Sequence, residues 1–445
     1  MSMAAPPLSD VAAQALNLAR RAGATAAVVQ LGESESLIAA VCAGVPTERT
    51  FRRSTTIQLT LLRGRRQAAV SSSDLSADAI ATLVQRGLAI ADLAAEDPCV
   101  GLPAADERAQ GHADLDLDHP WSLGMADAIA IARRAEDAAL AVGDAVTLTE
   151  GSQVQTHRSH HCLATSDGFL RTWVTTGHRI GCSPVARRGT EKQIDHWWDW
   201  ARRPADLMSP EAVGQRAAAQ AAARLGARRI PTQTCPVLFA PPAALGVLAD
   251  FSQALLAKPL YTQASYLAGA LGRPCLAPHV HLVDDPLLPR GAGSASHDDW
   301  GVALRRRAVV EAGVLRGCFL GLYGARRLGL PVADHGQGPT NLVVRSDRTV
   351  PGDDFAAMLR RLGTGLVVSG MTGKGTNLMT GDFSRAVHGF WVDGGEIRYP
   401  VAGITIAGQL GTMLTGLQAV GSDILTRPGA STGSWLVDAM RVGGA

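Results

Sequence analysis

The sequence predicts an α+β protein, with a mixed α/β amino-terminal region followed by a β-rich, curved antiparallel, barrel-like carboxy-terminal domain. Three observations predict it. Helix-period apolar stripes are interleaved with period-two runs over the first 230 residues. Beyond residue 300, short apolar runs are separated by glycine, the spacing of a curved sheet or barrel. A chain of 445 residues also exceeds one ordinary core, and composition breaks divide it into 1–110, 111–230 and 231–445.

The elements follow in order. Residues 8–22 read as a helix capped by Ser9, with Val11, Ala15, Leu16 and Ala19 as its stripe. Strand text at 26–31 and 55–62 leads through the turn Arg63-Gly64-Arg65 into Ala68-Ala69-Val70, a hairpin. A second helix spans 76–94, with Ile80, Leu83, Val84 and Leu88 on one face. Residues 97–120, rich in Pro, Gly and Asp, read as a linker or surface crossing. A helix at 125–142 precedes strands at 161–164 and 169–176, and Ser209-Pro210-Glu211 opens another helix that ends near Gly226. In the last region a helix fits 243–256, and strands fit 302–310, 314–319, 365–369, 389–392, 397–400 and 403–407.

Composition excludes several classes. Hydrophobic residues at 46% and charged residues at 18% describe a folded chain rather than a disordered one. A net charge of +2 gives no reason to expect nucleic acid or an anionic membrane as partner. No apolar run is long enough to cross a bilayer, and residues 1–10 show no leader pattern, so a cytoplasmic location is expected. The seven cysteines form no CxxC pair and fit reduced thiols better than a disulfide framework.

Candidate chemistry is sparse. His157, His160 and His161 form HxxHH, and His279 with His281 forms HxH, whose alternation places both rings on one strand face. Neither cluster sits in the helical HExxH arrangement that lets a glutamate activate metal-bound water, and surface or loop histidines are the favoured reading of each. The segment Gly370-Met371-Thr372-Gly373-Lys374-Gly375 lacks the Ser or Thr that must follow the lysine of a phosphate loop, so a tight turn is expected. No GxSxG is present, and Asp382, Ser384 and His388 are neighbours only in sequence. Arg305-Arg306-Arg307 read as consecutive strand positions, solvated or meeting a partner. Trp197, Trp198 and Trp200 stand out where aromatics are only 4%, either as a domain-interface plug or as an interaction hot spot.

The last third resembles a known family. Met379-Thr380-Gly381-Asp382-Phe383-Ser384-Arg385, then Gly389-Phe390-Trp391-Val392, Gly395-Glu396-Ile397, Tyr399-Pro400-Val401 and Ile404-Thr405-Ile406-Ala407-Gly408 resemble the signature of the TldD/PmbA family, and within it the PmbA branch, also called TldE. Upstream, Ser71-Ser72-Ser73-Asp74-Leu75-Ser76, Asp97-Pro98-Cys99, Ala325-Arg326-Arg327-Leu328-Gly329-Leu330 and Gly363-Thr364-Gly365-Leu366-Val367-Val368 agree in order.

The resemblance implies a two-subunit cytosolic metalloprotease acting on short or unfolded peptides. Its TldD-type subunit carries zinc through HExxxH and a carboxy-terminal Cys, and a PmbA-type subunit without those ligands helps enclose the chamber. The metal helix would fall on residues 246–253, with Leu248 at the first His, Ala249 at the Glu, Gln253 at the second His, and Thr432 near the Cys. Leu248 and Ala249 have no donor atom, and amide or hydroxyl oxygens are poor zinc ligands beside imidazole and thiolate. Asp250 reads as a solvated helix residue. The expectation is a chain with no catalytic residue and no metal of its own, with zinc in the partner and a homodimer when alone. Asp382 and Arg385 would contact peptide in the chamber, or pair with each other. The alternatives are a free-standing metallopeptidase or hydrolase using another site, such as the His279/His281 region, and a protein that binds unfolded peptide along a strand edge.

Overall fold

The computed structural model describes residues 6–444 apart from 112, so the first five residues of the stretch read for a leader lie outside it. One seven-stranded sheet runs through the first two regions in the order β3-β2-β1-β4-β5-β6, with β7 pairing β5. Its members are β1 (Ala26–Cys42), β2 (Val45–Arg63), β3 (Arg66–Ser72), β4 (Val146–Thr165), β5 (Leu170–Arg188), β6 (Glu191–Ile194) and β7 (Trp197–Ala201). The four long strands extend well past the apolar runs of the sequence. Their middle stretches are polar, and pairing such as Glu35 with Arg53 and Arg158 continues the ladder where burial does not. Period-two apolarity reports a buried face, not backbone pairing, so the sequence shows only the buried ends of these strands.

Helices cover this sheet in two pairs. α1 (Leu8–Arg21) and α2 (Ala77–Leu93) lie over one end, burying Val11, Ala15, Ile80 and Val84 against Val29, Leu31, Leu59 and Leu61. α3 (Met125–Leu140) and α4 (Pro210–Ala223) lie over the other, burying an alanine-rich stripe against Leu37, Ala39, Val154 and Ile180. Ser76 and Ser209 cap α2 and α4 by accepting the backbone N–H groups of Ala79 and Ala212. Ser9 does not cap α1; the helix begins at Leu8 after Pro7, whose fixed φ suits a helix entry. At the β1–β2 turn, Ala43 and Gly44 have φ of 53° and 73°. Their amides donate to the buried Glu136 carboxylate of α3 at 2.9 and 2.8 Å, and Thr149 donates its hydroxyl to the same group.

Residues 97–120 cross between the two halves and are strapped at both ends. Tyr323 donates to Asp97 at 2.7 Å, Arg326 donates to the Gly101 and Leu102 carbonyls at 3.0 and 2.7 Å, and Arg158 pairs with Asp118 at 2.6 Å.

The carboxy-terminal half holds β8 (Gln233–Phe239), α5 (Pro241–Ala254), α6 (Ala257–Tyr261), β9 (Val280–Asp284), β10 (Arg307–Glu311), β11 (Val314–Leu315), α7 (Gly321–Leu328), β12 (Leu342–Ser346), α8 (Phe355–Leu362), β13 (Gly365–Thr372), β14 (Asp382–Asp393), β15 (Glu396–Gln409), α9 (Leu410–Thr415), β16 (Leu417–Val420), β17 (Leu425–Arg427), β18 (Ala430–Thr432) and β19 (Trp435–Gly443). Strands β8, β13, β14, β15 and β19 close into a barrel, because β19 pairs with both β8 and β15. Bulges at Val368/Gly370, Val387/Gly389 and Val437/Met440 supply the bend that closure needs. Gly389 is required there, since a Cβ would strike the Val367 carbonyl. A second sheet, β11-β10-β9-β12-β18-β17, curls beside it. Pairing is antiparallel except β8 with β13 and β12 with β18.

Two expectations for this half are corrected. Residues 302–306 are outside a named strand: β10 begins at Arg307, whose guanidinium lies 3.3 Å from the buried Asp284 and 5.0 Å from the Phe319 ring, so the arginine run is not one solvated strand face. The apparent strand at 314–319 is two residues long before α7 begins. Helices α7 and α8, eight residues each, were not seen in the sequence because two turns give too few periods to register.

Candidate functional site

Helix α5 lies against the barrel and packs on β13, β8 and β18. Pro241 and Pro242 start it, and Ala243, Ala244, Val247, Leu248, Phe251 and Ala254 form its buried stripe. Leu248, at the first ligand position by resemblance, is 2% exposed within that core. Ala249 and Gln253 are exposed on the opposite side, one turn apart. Thr432 on β18 is fully buried, and its hydroxyl accepts the Trp435 indole N–H at 2.7 Å while donating to the Gly433 carbonyl at 3.2 Å. The fold therefore brings the four positions onto two adjoining elements, but the residues there do not fit zinc. Two have no donor, one offers an amide, and the threonine oxygen already holds a buried indole.

Asp250 is not a solvated helix residue. Its Oδ2 accepts from Arg385 at 2.6 Å and from the Thr376 hydroxyl at 2.7 Å, and both charged side chains are less than a fifth exposed. Arg385 also donates to the Gly373 carbonyl, so α5, β14 and the loop after β13 meet at one guanidinium. Tyr266 packs beside Gly381, and its buried hydroxyl has no hydrogen-bond partner among the described residues; the Arg385 Nε is likewise unpartnered. Burial pushes the Tyr266 hydroxyl pKa up, with the Cys275 and Asp250 charges adding to it. Asp382 stands apart: it is exposed and accepts from Thr380 at 2.6 Å. Asp382 and Arg385 thus do not pair, because residues three apart on a regularly paired stretch of strand point to opposite faces.

The histidines are placed as follows. His279 is buried, with one ring nitrogen 2.8 Å from the Ser346 hydroxyl and the other 2.9 Å from the Leu417 carbonyl. His281 contacts Asp347 at 3.0 Å and takes the Ala312 amide at 3.3 Å. All four ring nitrogens are engaged within the chain. His157 and His161 share one face of the amino-terminal sheet; His161 stacks on Trp173 at 5.1 Å, and burial lowers the pKa of both, helped by the Arg202 charge. His160 is exposed. Among the described residues, no three His, Cys, Asp or Glu stand together as a metal set.

The tryptophan cluster is a stack with arginines, which the sequence did not show. Arg216 lies 3.6 Å from the Trp197 ring, Arg427 lies 4.4 and 4.3 Å from Trp197 and Trp198, and Arg179 lies 4.7 Å from Trp198. The three tryptophans were the only available signal, since the arginines come from α4, β17 and β5.

The sequence pattern of the PmbA/TldA metallopeptidase central domain matches residues 118–225, and that of the carboxy-terminal domain matches 232–444. The metalloprotease PmbA of Escherichia coli O157:H7 is 35% identical over 88% of this chain and 87% of its own length. The PmbA homolog of Haemophilus influenzae is 33% identical over 97% of this chain and 94% of its own. A Bacteroides thetaiotaomicron crystal structure described as a modulator of DNA gyrase superposes with a TM-score of 0.92 at 22% identity, covering both chains fully. TldE of Thermococcus kodakarensis superposes with a TM-score of 0.83 at 17% identity, over 97% of this chain and 100% of that one. The chain belongs to the PmbA/TldD family of metallopeptidases.

Proposed function

We propose that this chain is the non-catalytic, PmbA/TldE-type subunit of a cytosolic heteromeric metalloprotease that degrades or processes short or unfolded peptides. Zinc and the catalytic glutamate come from a TldD-type partner. The observation that carries the reading is the chemistry of α5 and β18. Leu248 is core, Ala249 has no donor, Gln253 offers only an amide, and Thr432 is committed to Trp435. The chain's own residues supply a wall: the Asp250–Arg385 pair fixes β14 and the loop at 373–376 against α5, with the exposed Asp382 at the head of β14. We assign Asp382 and Arg385 to peptide contact and positioning in the chamber.

The free-standing alternative is disfavoured by the engaged nitrogens of His279 and His281. Zinc content and peptidase turnover, measured on this chain alone and mixed with a TldD-type chain, test the proposal. Turnover in the mixture only is expected; stoichiometric zinc and peptide cleavage by this chain alone would overturn it.

A further inference from the structure

A cleft of about 270 Å³ opens between β7 and the β17–β18 hairpin, on the seam of the two halves. Trp198, Trp200, Arg202 and Arg427 line it, with Asn341 and Ser431 on the far wall. Cations there outrun their partners. Of the three arginines stacked on Trp197 and Trp198, which are Arg216, Arg179 and Arg427, only Arg427 lines the cleft, and the Asp199 carboxylate reaches it only at 3.9 Å. The other Asp199 oxygen accepts the Met208 N–H at 2.8 Å. Arg202 has no carboxylate among the described residues. Backbone carbonyls of Thr176 and Ala292 hold it at 2.7 Å each, beside the Trp200 ring at 5.3 Å. Asp206 also lines the cleft, but Arg203 takes it at 2.5 Å and Arg290 lies 3.5 Å away.

A guanidinium removed from water needs donors satisfied and charge balanced. Arg427 has one weak bond, to the Thr426 carbonyl at 3.5 Å, and the rest of its fork is unengaged among the described residues. Burial lowers the pKa of Arg427 and Arg202 to about 10, the direction expected of cations short of counter-charge.

We propose that this cleft binds a carboxylate, with the planar fork of Arg427 as its bidentate donor, Arg202 supplying field, and Trp198 and Trp200 forming the apolar walls. The fork matches a carboxylate's two oxygens. The Asp199 and Asp206 side chains on the wall disfavour a dianion such as phosphate, and the small volume suits a chain end rather than a folded partner. Resting on the peptide reading above, the carboxylate is the free C-terminus of a short peptide.

Isothermal titration of the full-length chain with trialanine, trialanine amide and inorganic phosphate tests this. Saturable binding of the free acid is expected, with the amide about ten-fold weaker. Arg427→Gln should lose the acid preference while still melting cooperatively; should that variant not fold, the acid-to-amide ratio of the unaltered chain decides alone. Equal binding of acid and amide, no saturable heat, or phosphate binding as tightly as the acid overturns the proposal. The measurement needs no partner subunit. A chain that prefers the acid yet leaves a zinc subunit's turnover unchanged keeps this inference and sinks the chamber reading.

Discussion

The Arg385 guanidinium meets the Asp250 carboxylate at 2.6 Å across 135 positions of chain, tying the head of β14 to the middle of α5. The pair is largely withdrawn from solvent, so its geometry is held and its charges are weakly screened. Asp250→Asn leaves a guanidinium with less than its due, in a site where its Nε already lacks a partner. The expected loss is about 2 kcal/mol. It should appear as a lower urea midpoint with an unchanged slope. The double variant Asp250→Asn with Arg385→Gln should lose less than the two single losses added together, since the contact can be broken only once. Strict additivity would mean that the pair carries no coupling.

Glu136 is a hub of the amino-terminal half. Its buried carboxylate accepts two backbone amides of the β1–β2 turn and the Thr149 hydroxyl. Glu136→Ala orphans all three donors and opens a void under the turn. A loss of about 3 kcal/mol is expected. Because Ala43 holds a positive φ that only surrounding structure maintains, the damage should be local first. Limited proteolysis should cut near residues 43–44 in the variant before the rest of the chain opens; cleavage unchanged in site and rate would contradict this.

These two hubs show where a sequence speaks and where it is silent. Helices α1 to α4 were legible because each buries a full-length stripe against one sheet, and Ser76 and Ser209 mark their starts. The long strands were legible only at their buried ends, since residues such as Ser34, Arg52 and His157 pair in the ladder without an apolar alternation. At the positions aligned by resemblance, the residue types were readable, but not the burial of Leu248 or the bond between Thr432 and Trp435. Asp250 looked like any helix-surface acid because its partners, Thr376 and Arg385, are set by the return of β14 to α5, a tertiary fact with no local signature.

His388 makes stability depend on acid. It lies where β14 meets the end of the amino-terminal region. Burial lowers its pKa to about 4, with the Arg224 charge acting the same way and the Asp195 charge opposing it. The folded value lies below the unfolded one, so the unfolded chain binds the proton more readily. Stability from this group is intact above about pH 6.5 and is lost as pH falls from there toward 4. Half-buried His157 and His161 and buried His297 push the same way. Melting temperature should therefore drop across that window, and His388→Gln should flatten part of the drop. An unchanged pH profile in that variant would remove His388 as a contributor.

The α5 surface offers a test of what zinc binding on this helix would require, residue type or access. Ala249 and Gln253 are both exposed and one helical turn apart, the spacing at which two imidazoles face one ion. Ala249→His with Gln253→His should therefore acquire zinc, measured by competition with a chromogenic chelator, with little change in melting temperature. Leu248→His is expected to behave differently, because that position is 2% exposed among Val247, Phe251 and Ala244. An imidazole there is buried without a partner and leaves part of the leucine's volume unfilled, costing about 3 kcal/mol. If the surface pair takes up zinc and the buried substitution only destabilises, the lack of donors on α5 lies in residue type at the exposed positions and in core packing at Leu248. Failure of the surface pair to hold zinc would instead show that two imidazoles on α5 are too few donors for the ion.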